Sequence, residues 1–97
     1  MNEDELSNKQ LFGKVSLGLD VQAFLQSPVG RYLIGKAENE RAAALERLAT
    51  VNPDDTKDVR RAQNKVAVID LIQSWLAEAI TEAGVAENDL QQREGND

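Results

Sequence analysis

The chain has no cysteine and no histidine among its 97 residues. The first absence excludes disulfides, thiolate zinc sites and thiol nucleophiles. The second removes the commonest general base and the commonest transition-metal ligand. Aromatic residues are scarce, with two Phe, one Tyr and one Trp. No apolar run is long enough to span a bilayer. The opening MNEDELSNKQ has neither a basic region nor an apolar stretch, so no secretory signal is expected. The expectation is a soluble protein of the cytoplasm.

Positive charge is also short, and the net charge is −6. Residues 85–97 carry Glu87, Asp89, Glu94 and Asp97 against Arg93 alone, while the middle of the chain is nearly balanced. Without a basic stripe, binding to a phosphate backbone is not expected, so no nucleic acid is named as partner. The length suits one small domain with a modest core, and stability at that size is expected to lean on oligomerisation.

What is present is helical pattern. Residues 1–18 are polar around a short cluster, Leu11-Phe12 and Val15-x-Leu17, and read as a flexible N-terminal tail. Asp20 can cap a short helix over 21–26. Ser27-Pro28 is a good Ncap–N1 pair, so a second helix is expected from Pro28 to about Ala49. Asn52-Pro53 signals a turn, and Asp55 or Thr56 would cap a third helix. That helix is predicted from about Lys57 to Ala83, ended by Gly84 at C′. Its Val59, Ala62, Val66, Ile69, Gln73, Leu76, Ile80 and Ala83 alternate in steps of three and four. A second row, Val68, Ile72, Trp75 and Ala79, widens its apolar face. On the second helix the stripe reads Val29, Leu33, Ala37, Ala44, Leu48 and Val51. A short turn between long helices implies an antiparallel hairpin. The expected fold is therefore all-α: a short helix and then a long antiparallel helical hairpin over 19–84, with flexible ends at 1–18 and 85–97.

Four chemical motifs stand against that background. Gly30-x-x-x-x-Gly35-Lys36 resembles a nucleotide phosphate loop, but Ala37 stands where a Ser/Thr hydroxyl holds magnesium and no strand precedes it. Both glycines read better as helical positions that permit close packing of a neighbouring helix. Asn52, Asp54, Thr56 and Asp58 follow the odd-position pattern of a calcium loop, yet Lys57 replaces its glycine and Gln63 its closing glutamate. Helix capping accounts for the same residues. Glu78 and Glu82 share a face but flank no histidine, as a carboxylate di-metal bundle requires. The cations Lys57, Arg60, Arg61, Lys65, Arg41 and Arg47 are interleaved with Asp54, Asp55, Asp58 and Glu46, which reads as a salt-laced solvated face. No catalytic, cofactor or metal residue is assigned, and no enzyme is expected.

The spacing Phe24-x-x-Ser27-Pro28-x-Gly30-x-Tyr32-Leu33, Ala37-Glu38-x-Glu40, Val51-Asn52-Pro53-x-Asp55, Gln63-Asn64-Lys65 and Trp75-Leu76-x-x-x-Ile80, then Gly84-x-Ala86, resembles small helical accessory proteins of tailed bacteriophages, of the type found near head-assembly genes. The resemblance covers about residues 20 to 90 and carries no catalytic residue. It implies a phage origin, a non-enzymatic role and residence in the host cytoplasm or the virion. The expected partner is a protein: another copy, a phage structural protein or, in the alternative reading, a host nuclease or defence enzyme that this acidic chain inhibits. The residues expected to form core or contact surface are Phe24, Tyr32, Leu33, Ile72, Trp75, Leu76 and Ile80.

Overall fold

The computed structural model describes residues 6–95 and is all-helical over them. The helices are α1 (Asn8–Gln26), α2 (Pro28–Thr50) and α3 (Thr56–Gly95). The chain divides into two compact units. One takes in the chain up to Phe24 and from Leu76 onward, and the other is Leu25–Trp75. None of the helices is long and apolar enough to cross a membrane.

In the first unit, α1 is three times the expected length and absorbs residues 8–18 of the supposed tail. The parts of the expected tails at 1–5 and 96–97 lie outside the described residues. Its start is a capping box. The Gln10 amide donates to Ser7 Oγ at 3.1 Å, and the Ser7 amide donates back to Gln10 Oε1 at 2.9 Å. Leu6 and Leu11 flank this cap in the spacing of a hydrophobic staple and border the same hollow. Leu11 and Gly18 are buried seven residues apart, and Lys14, Val15 and Val21 are half-buried beside them. This stripe faces the C-terminal part of α3.

That part of α3 runs on through Gly84, which adopts no left-handed φ. The expected C′ stop is therefore wrong. A mid-helix glycine costs only about 1 kcal/mol, and continued packing offsets it. Ala86 is the most buried apolar residue named in the structure, and Leu90 and Arg93 follow on its face. Arg93 Nη1 donates to Asn8 Oδ1 at 2.7 Å, and Lys14 pairs with Glu82 at 3.3 Å. The buried stripe of α3 alternates threes and fours as far as Ala83 and then takes a second three to Ala86, a local shift of register.

The glycine that permits close approach is in this unit, and it is Gly18. A Cβ there would overlap the Ala83 methyl and come within 3.3 Å of the Ala79 carbonyl oxygen. A Cβ at Gly35 would meet nothing within 4 Å. The close-packing role expected of Gly35 is thus corrected, while Gly30 is buried. Sequence alone could not separate these positions, because glycine spacing does not say which helix face meets a neighbour.

In the second unit, Ser27 caps α2 by accepting from the Gly30 amide at 3.0 Å, with Pro28 at the first helical position. The Asn52 carbonyl accepts from the Asp55 amide at 2.9 Å, and the Asn52 side chain accepts from the Asp54 amide at 3.0 Å, which forms the turn. Asp55 caps α3 by accepting from the Asp58 amide at 3.2 Å. Of the calcium-like residues, Asn52 is occupied in this way and Asp58 pairs with Arg47. On α2 the inward row is Gly30, Ile34, Ala37, Arg41, Ala44, Leu48 and Val51. Val29 and Leu33, which the expected stripe included, are exposed. Continuing the alternation back from Ala44 and Ala37 leads to Ile34 and Gly30; the row through Val29 and Leu33 lies one position to the side.

Candidate interaction face

The side chains that join α2 to α3 within the second unit set the register. Arg47 pairs with Asp58, and its Nε lies 2.8 Å from Asp58 Oδ2. Lys65 Nζ is 3.0 Å from Glu40 Oε2. Each partner steps by seven from one pair to the next, so both ion pairs run along one edge of the helix pair. The next step of seven places Leu33 and Ile72 on that same edge. Both are exposed at 47 %. The edge is closed by charge for two rungs and then turns apolar and open.

The residues around that third rung extend the change. On α2 the row through Glu40 continues as Lys36, Leu33 and Val29; on α3 the row through Lys65 continues as Val68, Ile72 and Trp75. Tyr32, midway between the inward Gly30 and Ile34, and Leu71, midway between the inward Ile69 and Gln73, are exposed on the outer sides of α2 and α3. The large apolar members of the two rows are all exposed, Trp75 at 56 %. Together Val29, Leu33, Val68, Ile72 and Trp75 offer roughly 500 Å² of surface, taking ordinary areas for such residues. The largest apolar patch on a monomer is usually about 300–600 Å² and often marks a contact site. The charges at the rim are already partnered, since Lys36 meets Glu40 at 3.4 Å and Glu40 meets Lys65. The opposite edge carries the paired Arg41 and Asp70, joined at 2.7 Å.

Of the residues expected to form core or contact, Leu33, Ile72 and Trp75 lie on this face, and Tyr32 is exposed on the outer side of α2. Phe24, Leu76 and Ile80 belong to the first unit and are half-buried. Val29 and Val68 complete the face and were not in that set, although Val68 belongs to the second apolar row of α3. The cations of the expected solvated face include Arg41, Arg47 and Lys65, each of which holds a carboxylate. Between Arg47 and Lys65 lies an open cleft of about 150 Å³ bordered by Ala43, Ala44, Arg61 and Ala62. Among the described residues no acidic, histidine or cysteine cluster is arranged to hold a metal ion.

The edge ion pairs make an acid-sensitive element. Hydrogen bonds from Lys65 and then Lys36 lower the Glu40 carboxyl below its ordinary value, and a hydrogen bond from Arg41 does the same for Asp70. A carboxylate with a depressed folded pKa contributes stability above its unfolded value, and loses it as pH falls through the lower folded value. The expected loss therefore begins near about pH 4, where unfolded carboxylates titrate, and grows below it. Urea midpoints measured from about pH 5.5 down to about pH 3 should fall less steeply in the Glu40→Gln/Asp70→Asn variant than in the wild type. Parallel slopes would show that these pairs contribute nothing. No protein-family model, curated protein or solved structure matches this chain.

Proposed function

We propose that the protein is a non-enzymatic protein–protein interaction module that self-associates. The observation that carries this reading is the exposed apolar face around Leu33, Ile72 and Trp75. Burying such a face is favourable at roughly 25 cal/mol per Å², and leaving it in water invites association. In this reading α2 and the start of α3 form an antiparallel hairpin, which the order of the cross-helix pairs supports: the α2 number falls from Arg47 to Glu40 as the α3 number rises from Asp58 to Lys65. The hairpin is a rigid support for the face and has no catalytic part.

The setting proposed for this module is a tailed phage, in virion assembly or a related accessory step in the host cytoplasm or the virion. The spacing of residues 24–86 described above is its support. Light scattering coupled to size exclusion tests the self-association directly, and a mass above 10.7 kDa that rises with concentration is expected. A strict monomer across that range would overturn it. Stoichiometric capture of one host enzyme by that monomer would favour the inhibitor reading instead.

A further inference from the structure

We propose that the occupant of the Leu33–Ile72 face is a second copy of the chain, seated face to face about a two-fold axis near that rung. The inference rests on the self-association reading and adds the surface, the symmetry and the partner. In a two-fold contact the same patch lies on both sides, so it must complement itself. This patch does so at its centre, which is apolar on both helices; at its rim Lys36 and Lys65 share the Glu40 carboxylate. A partner chosen by charge would instead need unpaired charge facing it, and the centre offers none.

The area also fits. Roughly 500 Å² from each copy gives about 1,000 Å² in total, the size at which specific contacts begin. Trp75 supplies an amphipathic aromatic anchor of the kind that dominates contact energies. Leu33 and Ile72 stand on different helices, so a copy turned by the two-fold brings two helices against two. The result is a four-helix contact that closes the open end of each edge. The net charge of −6 repels a second copy, which predicts that added salt tightens the dimer. Binding of an acidic chain to a basic partner would weaken under the same change.

Trp75 is the only tryptophan, so its emission reports on this face without labels. The wild type is expected to show a blue shift with rising concentration, in parallel with a doubling of mass. Leu33→Lys and Ile72→Lys should each raise the dimer dissociation constant more than roughly tenfold with helix content kept. Phe12→Lys and Leu19→Lys, at exposed apolar positions of α1, should leave it unchanged. Should the lysine variants fail to fold, a cysteine reporter decides the matter, because the natural chain has none. Ile72→Cys should give a covalent dimer on oxidation or with a short bis-maleimide, and Leu45→Cys should not. A wild-type dimer that survives Leu33→Lys and Ile72→Lys but is lost in Phe12→Lys would overturn the assigned face while leaving self-association intact. Failure of Ile72→Cys to cross-link a proven dimer would overturn it equally. A monomeric wild type would remove both readings.

Discussion

Gly18→Ala should destabilise the protein by about 1–2 kcal/mol, whereas Gly84→Ala should stabilise it by roughly 0.5–1 kcal/mol. Both substitutions exchange the same residues inside a helix, so both gain the same propensity of about 1 kcal/mol. They differ in what the new methyl meets. At Gly84 it meets nothing within 4 Å. At Gly18 it runs into the Ala83 methyl, with the Ala79 carbonyl oxygen 3.3 Å away. Neither neighbour has a rotamer through which to escape, so the helices must separate. Overpacking of this kind typically costs about 1–3 kcal/mol and exceeds the propensity gain. Ala83→Gly removes the obstructing methyl, so the Gly18→Ala/Ala83→Gly pair should be less unstable than the two single changes predict by addition. Urea midpoints at one fixed protein concentration measure all of these, since a dimer makes stability depend on concentration. If Gly18→Ala proved as stabilising as Gly84→Ala, α1 would not cross α3 where the structure places it.

Leu11→Ala should cost about 2–4 kcal/mol, the largest effect expected from truncating one side chain here. Among the described residues the buried apolar ones are Leu11, Ala44, Ala62 and Ala86, and Leu11 is the only large one of these. It is exposed at 3 % and anchors the first turn of α1 against Ala86 and Val85, which border the same hollow. Removing its branch enlarges a hollow of about 210 Å³ that already lies beside it. The N-terminal turns of α1 then keep the Ser7 cap, the Asn8–Arg93 hydrogen bond and the exposed Lys14–Glu82 pair. Far-UV circular dichroism should register loss of helix together with the lower midpoint. Leu17→Ala, at an exposed position of the same helix, should change stability by less than about 0.5 kcal/mol. Equal effects at the two positions would show that α1 does not bury its Leu11 face.

The small size of the buried residues explains why the interaction face matters. Alanine pairs let helices approach closely but remove little apolar surface from water. Several large apolar side chains of the second unit, Leu33, Ile72 and Trp75 among them, sit outside that seam on the exposed face. Stability and association are then linked through one set of residues, because the surface a second copy would cover is surface the single chain leaves wet.

Local signals in the sequence determined where α2 and α3 begin. Ser27-Pro28 and Asp55 act within one turn of themselves, so their effect needs no tertiary partner. The inward row of α3 from Val59 to Ala83 was likewise legible, because its alternation is long and has few competitors. The start of α1 was legible too, in the capping box Ser7-x-x-Gln10, but the polar tail and two glycines obscured it. Only the tertiary structure decided that α1 is long, that α3 continues past Gly84, and that Gly18 is the glycine of close approach. The reason is energetic: a glycine costs about 1 kcal/mol wherever it stands in a helix, and only a neighbouring helix decides whether that cost is offset. The same holds on α2, where two apolar rows lie side by side. Periodicity marks both, and the packing of α3 chose the row of Gly30 and Ile34, which left Val29 and Leu33 outside.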